Sequence, residues 1–169
     1  MPELQLYPYP KLDDAACREK LYTLLAIFLA SKQIAEQCDW RDGDTFRAML
    51  DEHEIGLATH LLIECAVLVR MKDDIFLRQH GLSAETTMDI VGRLLTGDGL
   101  SDSNELNLRE ACNKIVHAKG MNFDVFKGDG WHARYLLPVV HLRGERAGLS
   151  WKAELNVVRW IECGFTMFP

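Results

Sequence analysis

Three residues of one short segment, Arg109, Asn113 and His117, combine side-chain types and a spacing that suit phosphate chemistry. They follow one another at i, i+4 and i+8, which on a helix sets them along a stripe about 80° wide. An arginine offers a phosphate a forked pair of donors. An imidazole takes and returns a proton near neutral pH, and an asparagine amide orients either partner or binds a ribose hydroxyl. Together they suit cleavage of RNA without a metal. His117 would act as acid or base on the 2′-OH and the leaving 5′ oxygen, Arg109 would hold the charge growing on the phosphorus oxygens, and Asn113 would orient the two. The same stripe also suits an ordinary solvated face on which His117 caps the last carbonyls of its helix.

The charge distribution favours the last third of the chain as a surface for RNA. Residues 1–108 carry 10 Lys/Arg against 19 Asp/Glu, whereas residues 109–169 carry 9 against 6. The overall net charge of −6 excludes indiscriminate nucleic-acid binding, because phosphates are repelled at long range. Lys114, Arg134, Arg143 and Arg146 are the candidate RNA-binding residues, interleaved with the aromatic Trp131, His132 and Tyr135.

Other constellations point elsewhere. His60 and Glu64 have ligand-compatible i, i+4 spacing and His53 lies on roughly the same face, but no HExxH pattern accompanies them, so no metal and no cofactor are expected. A polar pair at the core edge or across a dimer interface suits them better. Gly97/Gly99 and Gly128/Gly130 are turn formers without the Gly-Lys-Ser/Thr of a phosphate loop. Cys112 and His117 lie about 140° apart on a helix and do not make a nucleophile–base pair. The five cysteines are odd in number and dispersed, which reads as reduced thiols in a cytoplasmic protein. The first residues lack a signal-peptide pattern. The apolar run from Leu21 to Ala30 is about half of what a bilayer needs, so no membrane partner is expected.

The elements that must position these side chains read as mainly α, in one domain spanning 1–169. Asp13 or Asp14 caps a first helix running to Gln37, with Cys17, Leu21, Leu24, Leu25, Phe28 and Leu29 on one face. Asp44 opens a second, with Phe46, Met49, Leu50, Leu57, Leu61, Cys65, Leu68 and Phe76 inward, running to Gln79, with Gly56 placed to dent or interrupt it. His80-Gly81 closes it. Ser83 starts a third, with Met88, Val91, Leu94 and Leu95 inward and Gly97 at its end. Asp102 and Glu105 have capping-box spacing for a fourth that runs to Lys119. Residues 13–119 thus read as an antiparallel bundle of four main helices. In residues 120–169, Tyr135–Leu142 and Ser150–Leu155 form a small β-hairpin, with Pro138 at an edge or a bulge, and Val157–Phe165 a short closing helix packed on the bundle.

The run Cys112-Asn113-Lys114-Ile115-Val116-His117, ending the last long helix of such a bundle, resembles the signature of the HEPN (higher eukaryotes and prokaryotes nucleotide-binding) family. In that family an arginine, usually followed by a polar residue, precedes a histidine by a short gap. Asn113 matches the polar position and His117 the histidine. Cys112 stands where the arginine would, and Arg109, one turn earlier, is the nearest substitute. The resemblance implies a homodimer whose paired final helices bring two motifs into one cleft. It implies a metal-independent endoribonuclease of toxin–antitoxin or phage-defence type, with RNA and an antitoxin or other protein as partners. Members lacking the arginine are often non-catalytic dimerisation or RNA- and partner-binding modules. The direction in which Arg109 points separates the two: toward a phosphate beside His117 for an enzyme, toward a carboxylate of its own chain for a binding module.

Overall fold

The computed structural model describes residues 12–80, 89–96, 100, 102–127 and 134–169. Helix α1, Asp14–Gln37, starts where the Asp13 carboxylate accepts from the Ala16 amide at 3.1 Å; of its expected face it buries Cys17, Leu21, Leu24 and Phe28, while Leu25 is half-buried and Leu29 is exposed at the margin of that face. Asp44 caps the next helix, accepting from the Phe46 amide at 2.9 Å. Its carboxyl lies below the usual range: desolvation opposes this, but hydrogen bonds from backbone amides, that of Trp40 first, outweigh it. This α2, Thr45–Met49, passes through a π-helical segment, Leu50–Glu54, into α3, Ile55–His80. The expected long helix is therefore interrupted by a widened turn just before Gly56. Phe46, Met49, Leu57 and Phe76, expected inward, are exposed, while Leu50, Leu61 and Cys65 are buried and Leu68 is half-buried. Two ion pairs hold α1 to α3: Lys20 to Glu64 at 3.0 Å and Lys72 to Asp14 at 2.8 Å.

The molecule is mixed α and β, not a mainly α four-helix bundle with an appended hairpin. Strands β1 (Ile90–Thr96), β2 (Asp102–Asn107), β3 (Gly120–Lys127), β4 (Arg134–Arg146) and β5 (Leu149–Asn156) form one antiparallel sheet ordered β2-β1-β5-β4-β3. The described part of the expected third helix is β1. Val91, Leu94 and Leu95 fit a helical period, but Gly92 pairs with Leu155 so closely that a Cβ there would stand 2.0 Å from the Glu154 carbonyl oxygen. Ser83, Met88, Gly81 and Gly97 lie outside the described residues, as do Trp131, His132 and the Gly128/Gly130 turn.

Asp102 and Glu105, expected to cap the fourth helix, belong to β2. The cap lies five residues on, where Asn107 accepts from the Glu110 amide at 2.8 Å and starts α4, Leu108–Val116. The β4–β5 hairpin and the closing helix α5, Val157–Thr166, occur where expected. Strand β4 is, however, interior and paired on both sides. Pro138 is accommodated at an irregularity: the β3 register shifts between Phe123 and Val125, and pairing with β5 begins at Val139.

Alternation explains the layering. Trp151, Ala153 and Leu155 on β5, with Leu142 and Val140 opposite them, point into one core shared with α1, α3, α4 and α5. Ser150, Lys152 and Glu154, pointing the other way, are exposed. One sheet face is thus covered by helices and the other meets water, as in a two-layer sandwich. No helix among the described residues is long and apolar enough to cross a membrane.

Candidate functional site

Helix α4 is short, and its rotation on the core decides which side chains reach a surface cavity. Leu108, Ala111, Cys112 and Ile115 are buried, so the residues 100° to either side of that face look along the helix layer or out of it. Arg109 turns toward α3. One guanidinium nitrogen donates to Asp73, a carboxylate with 2% of its side chain exposed, and the other to Asp74 at 2.7 Å. Desolvation of the guanidinium is outweighed by these hydrogen bonds, and its pKa rises. Arg109 is a clamp between α4 and α3, and the expected grouping of Arg109 with Asn113 and His117 does not form.

Glu110, Asn113, Lys114 and His117, spaced i, i+3, i+4 and i+7, line a cleft of about 500 Å³. Arg70 of α3, Glu145 and Arg146 of β4 and Trp151 of β5 complete its walls. The floor depends on a glycine. A Cβ on Gly144 would lie 2.2 Å from the Trp151 ring, so glycine there lets the indole spread over β4. Lys114 rests 4.5 Å above that ring, is only 7% exposed, and bonds Glu110 at 3.0 Å. Glu110 also accepts from the Asn113 amide nitrogen at 3.2 Å, whereas the amide oxygen of Asn113 is buried and has no hydrogen-bond partner among the described residues. His117 follows the helix as its C-cap, its backbone N–H donating to the Asn113 carbonyl at 3.0 Å, and it is exposed.

The cleft is electropositive within an acidic protein. Glu145 is taken by Lys119 at 2.7 Å and Glu110 by Lys114. Among the described residues neither Arg70 nor Arg146 is joined to a carboxylate by an ion pair. Such a site attracts an anion and can meet its oxygens with two guanidinium forks and an imidazole.

Of the four expected RNA-binding residues, Lys114 and Arg146 lie in this cleft and Arg134 and Arg143 do not. Arg134 is paired with Asp51 at 2.9 Å, and Arg143, on the water-facing side of β4, lies over Gly120, where a Cβ would come 2.4 Å from its Nε. Arg70, Glu110, Glu145 and Trp151 escaped the sequence reading. For Glu110 the signal was present, since Glu-x-x-Asn-Lys-x-x-His marks a helix face as well as the chosen stripe does. Cys112 faces the core, fully buried, and its thiol is pushed up to about 12 by burial, so it is no nucleophile. His60 stands 3.9 Å from Glu64, which also binds Lys20, and no group of three or more metal-ligating side chains gathers among the described residues. No protein-family model matches the chain, and neither a curated protein nor a solved structure is significantly similar to it.

Proposed function

We propose that the chain is a binding module that holds the phosphodiester backbone of RNA in the cleft between α3, α4 and β4. The observation that carries this reading is the convergence of Arg70, Lys114, Arg146 and His117 on one cavity while Arg109 is committed to Asp73 and Asp74. An anchored Arg109 favours binding over cleavage, and the core-facing position of residue 112 leaves the arginine of a HEPN-type motif no place in the cleft. The resemblance of Cys112–His117 to that motif supports RNA as the phosphate carrier and a homodimer as the working unit. The test is fluorescence anisotropy with a labelled single-stranded oligoribonucleotide across a salt series. Each phosphate contact contributes roughly 0.7 to the slope of log K against log salt. Arg70→Glu and Arg146→Glu should each weaken binding and flatten that slope, while Arg143→Glu leaves both nearly unchanged. Equal losses in all three variants would refute the cleft as the site.

One observation favours a second reading, metal-free cleavage of the bound RNA: the exposed imidazole of His117 shares the cleft with two arginines that no carboxylate among the described residues pairs. Either would then take the phosphate-stabilising part first assigned to Arg109. Cell growth on induced expression distinguishes this, since cleavage predicts toxicity that His117→Ala abolishes.

A further inference from the structure

The carboxylate of Glu110 stands inside the cationic cluster itself. One oxygen lies 3.0 Å from Lys114 Nζ and the other accepts from Asn113 Nδ2 at 3.2 Å, so both are held in place. Burial alone would favour the protonated acid, but the hydrogen bonds from Asn113 and Lys114 and the charges of Lys114 and Arg146 outweigh it. The result is a fixed negative charge that takes up the Lys114 ammonium, leaving the Arg70 and Arg146 forks for a ligand. Two forks match the two charged oxygens of a phosphodiester, whose uncharged ester oxygens can then face Glu110 with much weaker repulsion than a charged oxygen would meet. A terminal phosphate carries about two charges at neutral pH over three oxygens, and the third must be set against the carboxylate.

Resting on the anion-binding reading above, we propose that Glu110 is the specificity-determining residue of the cleft, admitting singly charged phosphodiesters and disfavouring doubly charged phosphate monoesters. The ligand class is therefore the interior of a nucleic-acid strand and not its phosphorylated end or a free mononucleotide.

The probes are adenylyl-3′,5′-adenosine, a phosphodiester, and adenosine 5′-monophosphate, a monoester. Both are titrated by calorimetry at pH 7.5 into the full chain and into Glu110→Gln, with Glu154→Gln, on the water-facing side of the sheet, as a control. The wild-type protein should prefer the diester by about tenfold or more. Glu110→Gln should reduce that ratio to about twofold, mainly through tighter monoester binding, because the amide can donate to the third oxygen; Glu154→Gln should leave it unchanged. Glu110→Ala provides a second variant, and melting curves show that each protein is folded. Binding of both probes with a ratio that neither Glu110 variant alters overturns the selectivity alone. Failure of both probes to bind any of the proteins overturns the anion-binding reading and the selectivity with it.

Discussion

Replacing Arg109 by alanine should cost stability and leave ligand affinity intact. The substitution removes one partner of a buried carboxylate: Asp73 keeps 2% of its side chain exposed, Asp74 33% and Arg109 18%. Breaking a buried ion pair by deleting one member costs about 3–5 kcal/mol, because the remaining charge stays desolvated. Partial access of water to Asp74 and to the arginine places this case at the lower end, about 3 kcal/mol. At roughly 2–4 °C per kcal/mol for a domain of this size, the melting temperature should fall by about 6–12 °C. Arg109→Lys keeps the charge without a fork that spans two carboxylates and should lose about half as much. A double-mutant cycle with Asp73→Ala should return a coupling of about 2 kcal/mol. Melting is followed by circular dichroism, and binding by anisotropy at a temperature where each variant is folded. An Arg109→Ala protein that melts like wild type but no longer binds the oligoribonucleotide would show that the guanidinium serves the ligand, and the clamp assignment would fall.

Other outcomes follow from single features. Ala147 adopts φ +53° in the two-residue turn between β4 and β5, a conformation in which asparagine or glycine is better placed. Ala147→Asn should therefore stabilise the protein by about 0.5–1 kcal/mol, and an unchanged or lower urea midpoint would contradict the strain assigned to that turn. Gly144→Ala should push the Trp151 indole off β4, costing about 1–3 kcal/mol and weakening ligand binding through the displaced Lys114. A crystal structure of this variant with the indole unmoved would refute that. Burial holds the thiols of Cys65 and Cys112 up to about 12 and that of Cys163 to about 11, against an ordinary 9.0. Since the folded state favours the neutral thiol, this stabilisation is complete below pH 9 and is lost as pH climbs toward 12. The urea midpoint should fall between pH 8 and pH 10.5, and a flat profile would count against the burial of those thiols.

The elements legible in the sequence are those whose signals are local. Asp13 and Asp44 sit at helix starts, the α1 face keeps its period from Cys17 to Phe28, and β5 alternates strictly. What escaped depends on pairing between distant segments. Nothing near Gly92 announces that its missing side chain is needed for contact with β5. Asp102 and Glu105 satisfy a capping pattern that the better-placed Asn107 and Glu110 satisfy five residues later. The candidate site was half visible for the same reason. The period of α4 placed Asn113 and His117 together, but the direction of Arg109 was set by Asp73 and Asp74, about 35 residues away in the chain. Arg70 and Arg146 reach the cleft only because α3 and the β4–β5 hairpin flank α4.

The cleft assignment is tested most directly by mapping where an oligoribonucleotide touches the chain, using backbone and side-chain NMR shifts of the labelled protein during titration. The shifts should concentrate on Arg70, Asn113, Lys114, His117 and Arg146, with Arg109 and Arg143 little changed. Shifts centred instead on the water-facing side of the sheet, around Arg143 and Lys152, with the α4 resonances unmoved, would contradict it.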